Sequence, residues 1–152
     1  IIMDLNRIST EEFWNPEHVV EKFWNGLRDG KIYAKKCKEC GAIEFPPHHA
    51  CNSCGYHETE WTELSGKGEL ITFVFTGALN ARLELEDQGL KYVCGEVKLD
   101  EGPSINAVIL GINKKKAREI TDKLPVRVRP VFHDMGRYTT LFFELIILPS
   151  LK

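Results

Sequence analysis

The first strong hydrophobic pattern in the chain is helical. Its apolar positions recur at intervals of three and four residues, which places them on one stripe of a helix: Val19, Val20, Phe23, Trp24 and Leu27. Asn15 can cap such a helix, Pro16 suits its first turn, and Gly30 is a natural stop. We expect a stripe this aromatic to cover either the body of this chain or another subunit.

From residue 61 onward the pattern becomes that of β-strands. A short strand at 61–64 and a glycine-rich turn at 65–68 lead into a long β segment at 69–76. The remaining predicted elements are a hairpin of strands 90–99 and 104–111 about the turn 100–103, a lysine-rich helix at 113–123 capped by Asn113, and strands at 126–132 and 138–148. Three strands, one helix and two strands make up the chain order of an OB-fold, a five-stranded Greek-key barrel.

The cysteines lie between the helix and the strands, in two matching CxxCG segments. Cys37 and Cys40 form the first pair, and Cys51 and Cys54 form the second. A gap of two residues lets both thiolates of one turn reach a single ion, so the spacing predicts a zinc ribbon. Four cysteines fill the coordination sphere of zinc, so we expect a structural Zn²⁺, with iron in a site of four thiolates as the alternative metal.

Other residues with metal-binding or nucleophilic side chains have simpler interpretations. His48, His49 and His57 are near the cysteines in sequence, but four thiolates make them surplus as ligands. Cys94 is flanked by Val93 and Gly95 in a strand pattern and is expected to pack as a small core residue. No set of residues for catalysis is visible, so we expect no enzyme activity from the isolated chain.

The predicted elements divide the chain into three parts. An N-terminal helical segment covers 1–30, the zinc ribbon covers 31–60, and the OB-fold covers 61–152. The loop at 77–89 between the first two barrel strands is long, and part of it has helical character. Loops of this length in compact domains usually carry function or are disordered.

Composition and charge narrow the class of protein. The chain has 152 residues, is 43% hydrophobic and carries a net charge of −2, which by itself does not indicate nucleic-acid binding. It has no apolar run long enough to cross a bilayer and no secretory signal at its start, and its paired cysteines suit a reducing compartment. We therefore expect a cytoplasmic protein without membrane contact.

The charge is unevenly distributed along the chain. Residues 113–137 hold 8 Lys/Arg against 3 Asp/Glu, whereas residues 1–112 hold 11 against 18. A basic cluster on an acidic body favours an anionic ligand or an acidic partner surface. Arg127 and Arg129 alternate with valines, so both should lie on one barrel face and could contact a phosphate group. Residues 114–116 are more readily explained as a solvated helix face.

Several motifs recur in the order found in a known domain family. They are Phe23-Trp24-x-Gly26-Leu27-x-x-Gly30-Lys31-Ile32, the first CxxCG, Phe45-Pro46-Pro47, the second CxxCG, and Leu64-Ser65-Gly66-x-Gly68. The chain resembles the thiolase-associated family of unknown function that combines an N-terminal helical hairpin, a rubredoxin-like zinc ribbon and an OB-fold. The resemblance covers roughly residues 13–147, and the ordered set is far more specific than any one motif. The family commonly has arginine where this chain has His48.

The resemblance implies a function that the spacing alone does not. Members are associated with acyl-CoA metabolism as small non-catalytic partners of thiolase-fold enzymes, for example as the small subunit of a degradative thiolase such as benzoylsuccinyl-CoA thiolase. On this basis we expect a hetero-oligomer with a thiolase-fold protein that positions or shelters an acyl-CoA. Phe23, Trp24, Arg127 and Arg129 are the candidate contacts to CoA or to the partner, with core packing as the alternative role of the two aromatic residues.

A nucleic-acid-binding module is the competing hypothesis, because zinc ribbons and OB-folds both occur in that role. Phe73 and Phe75 share one strand face and could offer a stacking platform for bases. The acidic body of the chain and the absence of a broad basic stripe argue against this hypothesis.

Overall fold

The computed structural model describes residues 18–75 and 83–146. The elements in chain order are α1 (His18–Arg28), β1 (Ile32–Cys37), β2 (Ile43–Glu44), β3 (Thr59–Leu64), β4 (Gly68–Val74), α2 (Leu83–Asp87), β5 (Tyr92–Leu99), β6 (Ser104–Leu110), α3 (Lys114–Thr121), β7 (Val126–Asp134) and β8 (Thr139–Leu145). None of the described helices has both the length and the apolar character needed to span a membrane.

Helix α1 ends where the glycine signal predicts. Gly30 has a φ of 71°, and its amide donates to the carbonyl of Leu27 while the amide of Lys31 donates to the carbonyl of Gly26. These two bonds form a Schellman motif, which satisfies carbonyls that the last helical turn leaves open. The predicted cap and first turn at Asn15 and Pro16 lie outside the described residues.

The ribbon is a three-stranded sheet with the order β2-β1-β3. Strands β1 and β3 pair antiparallel over their full length, from Ile32 opposite Leu64 to Cys37 opposite Thr59. Strand β3 includes residue 61, at which the OB-fold is predicted to begin. Its hydrogen-bonded partner is the ribbon strand β1. The polypeptide therefore completes the ribbon sheet before it enters the barrel.

The remaining strands close into a barrel with the order β4-β5-β6-β8-β7. All neighbours are antiparallel except β6 and β8, which are parallel. This is the five-stranded barrel that the sequence predicts, with α3 inserted between its third and fourth strands. The predicted cap of α3 is also confirmed, because Asn113 Oδ1 accepts a hydrogen bond from the amide of Lys116 at 2.9 Å.

One apolar core runs through the helix, the ribbon and the barrel. Its buried members include residues from all three parts, among them Phe23, Leu27, Ile32, Phe45, Leu70, Val97, Ile109 and Phe143. A second cluster under α2 contains Leu85, Tyr92, Val108 and Phe142. Because the first core is shared, the described ribbon and barrel pack as one body.

The turn between ribbon and barrel is tightly constrained. Gly66 has a φ of 70°, and a Cβ at this position would collide with Ile32 Cδ1 and approach Pro130 Cγ to 2.8 Å. Positive φ is readily adopted only by glycine, so this turn needs glycine for both conformation and space. The carboxylate of Glu101 accepts a hydrogen bond from the amide of Ser65 at 2.6 Å, which ties the turn to the barrel hairpin.

Candidate functional site: a four-cysteine centre beside an apolar cleft

The four predicted ligands come together in one cluster. The Sγ atoms of Cys37, Cys40, Cys51 and Cys54 all lie within 4.8 Å of one another. The separation is 3.7 Å between Cys37 and Cys54 and 3.5 Å between Cys40 and Cys51. A tetrahedral Zn²⁺ with bonds of about 2.3 Å places its sulfur ligands about 3.8 Å apart, so the cluster fits the ion.

The two cysteine turns repeat the same hydrogen bonds. The amide of Cys37 donates to the carbonyl of Ala42 and the amide of Gly41 donates back to the carbonyl of Cys37, at 2.8 and 3.0 Å. Cys51 makes the equivalent pair of bonds with Tyr56 and Gly55, at 3.0 and 2.9 Å. Gly41 and Gly55 have φ values of 74° and 76°, which explains the glycine after each second cysteine.

The electrostatics of the cluster favour a bound cation once the thiols ionise. The backbone amide of Cys40 lowers the pKa of the Cys37 thiol to about 7 by hydrogen bonding. The pKa of Cys54 is raised to about 12: the backbone amide of Tyr56 acts to lower it, but the neighbouring thiol of Cys40 and burial outweigh that effect. Four thiols this close cannot all ionise unless a metal ion neutralises them, and bound zinc does so. The cluster is therefore a structural zinc site that residues of this chain complete.

Glu44 is a buried carboxylate beside this centre that the sequence analysis did not single out. Its side chain is 7% exposed, and it accepts hydrogen bonds from the Asn52 amide at 2.8 Å and from Asn52 Nδ2 at 2.7 Å. Asn52 directly follows the ligand Cys51, so this bidentate contact fixes the second turn against strand β2. In the sequence, Glu44 is marked only by its position between the two CxxCG segments. The spacing does not show that its partner is Asn52.

The other cysteine and the histidines behave as predicted. His48, His49 and His57 are exposed and are not part of the metal cluster. Cys94 is half-buried and packs against the second hydrophobic cluster.

An apolar cleft opens where α1, the ribbon and the barrel meet. Its volume is about 410 Å³, within the range of small-molecule sites. The helix contributes Phe23, Trp24 and Leu27, and the ribbon contributes Phe45 and Pro46. Strands β6 and β8 supply the opposite wall. The cleft therefore has walls from all three parts of the chain.

The predicted aromatic pair lies in this cleft wall as part of a longer aromatic row. Phe23 contacts Trp24 and Phe45 edge to face, with ring centroids 5.1 and 5.9 Å apart. Trp24 continues the row to Tyr138 of the barrel at 6.1 Å. Phe23 is 9% exposed, whereas Trp24 is half-buried. Phe23 is thus a core residue with one edge on the cleft, and Trp24 presents more of its ring.

The two predicted arginines are both engaged in ion pairs. Arg127 binds Asp100 in a bidentate pair with both N···O distances at 2.7 Å, and Arg129 binds Glu144 at 2.6 Å. The hydrogen bonds from Arg127, followed by its charge, lower the pKa of the Asp100 carboxyl. The neighbouring Val128 points into the core and is fully buried. The structure therefore keeps both arginines on the outer face and pairs each with an acidic residue of the same chain.

Residues 24–60 match the family model described as the ChsH2 rubredoxin-like zinc ribbon domain. This segment resembles a ChsH2-type zinc ribbon. The match includes all four cysteines and Glu44, and it begins at Trp24 in helix α1. The predicted cofactor, a structural zinc ion, agrees with this match and with the geometry of the cluster.

Two relatives extend the similarity beyond the ChsH2-type ribbon. A DUF35 domain-containing scaffold protein of Methanocaldococcus jannaschii is 30% identical over 97 residues, covering 62% of this chain and 66% of the relative. Another from Pyrococcus furiosus is 28% identical over 101 residues, covering 66% of this chain and 71% of the relative. The chain thus spans about two thirds of the length of each relative. The resemblance drawn from the ordered motifs is confirmed.

Two solved structures share the arrangement of ChsH2-type ribbon and barrel. The Ltp2-ChsH2(DUF35) aldolase matches with a TM-score of 0.65 at 16% identity, covering 88% of this chain and 98% of the matched chain. A DUF35-family protein of unknown function from Sulfolobus solfataricus matches with a TM-score of 0.57 at 16% identity, covering 86% and 85%. At such identity the likeness shows the fold alone.

A second cavity lies beside the start of α3 and the segment that follows α2. It has a volume of about 630 Å³, and Phe75, Lys91, Tyr92, Lys114 and Lys115 are among its lining residues. Phe75 is 48% exposed, and its ring is nearly perpendicular to that of Phe73, at 87°. The pair therefore does not offer two parallel faces for stacked bases, which weakens the nucleic-acid hypothesis.

Proposed function

We propose that this chain is a non-catalytic, zinc-binding scaffold subunit of a thiolase-type acyl-CoA complex, and that its inter-module cleft shelters the acyl and pantetheine part of the ligand. The observation that carries the proposal is the apolar cleft of about 410 Å³ formed jointly by the helix, the zinc ribbon and the barrel. The names of the relatives, scaffold proteins and an aldolase assembly, support the role of a partner subunit.

The chemistry of the cleft suits a flexible, mostly apolar chain. Aromatic rings of Phe23, Trp24 and Phe45 form one wall, while Ser104, Asn106 and Thr140 place polar groups on the barrel wall. Ligand pockets typically combine apolar walls with a few polar groups that fix orientation. An acyl-pantetheine arm has this composition, with methylene groups interrupted by amides.

The zinc centre has a supporting role in this proposal. Its four thiolates leave no open coordination position for a substrate, so the ion orders the ribbon and does not act as a Lewis acid. Bound zinc holds the chain between the two cysteine turns, and this chain segment carries Phe45 into the cleft wall. The reaction itself is then left to the partner enzyme.

Exposed apolar side chains on the barrel support a partner subunit. Ile71, Val74 and Phe75 of the β4 region are 39%, 65% and 48% exposed. Clusters of large exposed apolar residues are typical of protein interaction sites. Arg127 and Arg129 stay candidate contacts to CoA or the partner, and a phosphate would have to compete with Asp100 and Glu144 for them.

Calorimetry with the zinc-loaded chain tests the role of the cleft. Affinity should rise from free CoA to acyl-CoA esters with longer acyl groups, and Trp24→Ala should weaken binding of the long esters. Phe75→Ala is the matched control, because this aromatic residue lies outside the cleft. Equal affinity for free CoA and its esters, or no binding at all, would place the acyl site on the partner.

Co-expression with a thiolase-fold protein tests the scaffold role separately. We expect a stable complex in size-exclusion chromatography and native mass spectrometry, with thiolase activity confined to the complex or the large subunit. A chain that stays monomeric with every thiolase-fold candidate from the same genome would contradict this part of the proposal.

A further inference from the structure

The outer face of the ribbon carries a compact group of lysine and aromatic side chains. Tyr33 and Lys35 alternate on strand β1, and Trp61 lies opposite Lys35 in the register with β3. Helix α1 adds Lys22 to the same group. We refer to Lys22, Tyr33, Lys35 and Trp61 as the lysine–aromatic face. Lys22 lies on a different side of α1 from Phe23 and Leu27, so this face is separate from the cleft.

The geometry of the face is well defined. Lys35 Nζ lies 4.0 Å from the centroid of the Trp61 ring, and Lys22 Nζ lies 4.7 Å from that of Tyr33. The two rings meet edge to face with their centroids 6.4 Å apart. Gly26 permits this arrangement, because a Cβ there would approach Tyr33 Cδ2 to 2.5 Å. The helix can therefore pack close enough to bring its lysine over the ring of the sheet.

The two lysines of the face differ from the neighbouring lysines in their ion pairs. Among residues 18–75 and 83–146, neither Lys22 nor Lys35 has a carboxylate within 4.0 Å. The neighbouring lysines differ, since Lys31 lies 4.0 Å from Glu63 and Lys38 lies 3.3 Å from Glu58. Among the described residues, two cations are thus held together on a half-buried aromatic surface, and the carboxylate that lies opposite Tyr33, Glu63, is next to Lys31 instead.

We propose that the lysine–aromatic face docks an acidic segment of a partner protein, with carboxylates bound by Lys22 and Lys35 and the aliphatic parts of the segment packed on Trp61. Charge complementarity selects this occupant, because an acidic segment supplies carboxylates that the described residues do not place beside Lys22 and Lys35. Aromatic residues at the centre of interfaces contribute much of the binding energy, and Trp61 and Tyr33 provide that component here. The inference rests on the proposed function for the existence of a partner and adds the chemistry of one contact.

The test uses a hexaglutamate peptide as the probe and the full-length, zinc-loaded chain labelled with ¹⁵N. The indole N–H signal of Trp61, assigned with Trp61→Phe, reports on the face. We expect a saturable shift of this signal that weakens at high salt. In Lys22→Ala/Lys35→Ala the peptide should bind on the order of tenfold more weakly, while Lys36→Ala/Lys38→Ala should bind like the parent chain. Lys35→Arg should retain binding.

Other outcomes would overturn the proposal. Equal weakening in both double variants would mean that the peptide responds to overall charge and not to this face. The same shift with inorganic phosphate at equal concentration would define a small-anion site in place of a peptide-docking surface. Zinc content and spectral dispersion verify that each variant is folded. The assay contains neither acyl-CoA nor thiolase, so its failure would leave the cleft proposal standing.

Discussion

The ribbon and the barrel are stabilised by different interactions. The ribbon has strands of six, two and six residues, and two of its turns are held by cysteine ligands. The barrel strands have seven to nine residues and close on themselves around fully buried side chains such as Val93, Val97 and Val128. The ribbon therefore depends on an ion, whereas the barrel depends on side-chain packing and a complete strand ladder.

The difference shows how a small module can have a well-defined structure without a large hydrophobic core of its own. Structural zinc supplies folding free energy to segments that bury too little apolar surface to fold alone. The ribbon then shares the apolar core of its neighbours through Ile32, Ala34 and Phe45. Its local geometry comes from the metal, and its position comes from packing.

Substitution of a zinc ligand should have the largest effect. It should remove the protection of ribbon amides from hydrogen exchange and leave that of barrel amides unchanged. Cys40→Ser and Cys54→Ser are expected to abolish zinc binding, because three thiolates do not close the coordination sphere. Hydrogen exchange should then show lost protection in β1 and β3, while amides of β5 and β6 stay protected. Cys94→Ser is the control and should retain one zinc by metal analysis. Unchanged protection of the ribbon in zinc-free protein would contradict this prediction.

Truncation of a shared core residue should have the second largest effect. It should lower the stability of the ribbon and the barrel together. Phe23→Ala is expected to lower the free energy of unfolding by about 3–5 kcal/mol, since it leaves a cavity where helix and ribbon meet. Phe75→Ala should change it by less than about 0.5 kcal/mol, because that side chain is 48% exposed. Denaturant unfolding followed by circular dichroism measures both. A similar loss in the two variants would argue against the shared core.

Removing the buried carboxylate should act on the ribbon more than on the barrel. Glu44→Ala leaves two donors of Asn52 without their partner and should cost about 1–3 kcal/mol. Competition with a chromophoric chelator should show faster zinc loss than in the parent chain. Glu58→Ala, which removes only an exposed partner of Lys38, is the matched control. Equal zinc retention in both variants would show that the contact between Glu44 and Asn52 does not hold the second turn.

The smallest expected effect concerns pH and is confined to the barrel. Hydrogen bonds from Arg127 lower the pKa of Asp100 in the folded chain, so the unfolded chain takes up this proton first as the pH falls. The ion pair therefore stabilises the fold above the ordinary carboxyl pKa of about 3.9 and loses that effect as the pH falls through the lower folded value. The stability difference between the parent chain and Asp100→Asn should shrink below about pH 4. In an Arg127→Ala background, Asp100→Asn should show much less of this trend in acid titrations of unfolding.

Features encoded by short-range spacing could be predicted from the sequence. The CxxCG segments define their own turns, Asn113 caps the residues that follow it, and Gly30 ends the preceding helix. The order of the barrel elements also follows from local signals, because each strand and turn carries its own pattern. The small two-residue strand β2 and the pairing of β3 with the ribbon were less accessible, since pairing partners are not encoded by local pattern.

The contacts between distant residues could not be predicted. Arg127 lies 27 residues from Asp100, and the two meet only after the barrel closes. The sequence showed two arginines available for a phosphate, while the fold supplies each with a carboxylate. For the same reason, the role of Glu44 and the lysine–aromatic face could not be predicted, because the contacting residues come from different strands or from the helix. Sequence spacing thus identified the metal ligands but not the residues that support them or the neighbouring surfaces.

The position of Phe45 has a thermodynamic consequence. This residue directly follows Glu44, which is bound to the second cysteine turn, and its ring forms part of the cleft wall. Binding of the metal and binding in the cleft therefore favour the same conformation of one short segment. Linkage is reciprocal, so a molecule that gains affinity in the cleft when zinc is bound must raise the affinity for zinc by the same factor. A filled cleft would then raise the affinity for the ion, so occupancy of the cleft could be measured at equilibrium by competition for zinc with a chelator.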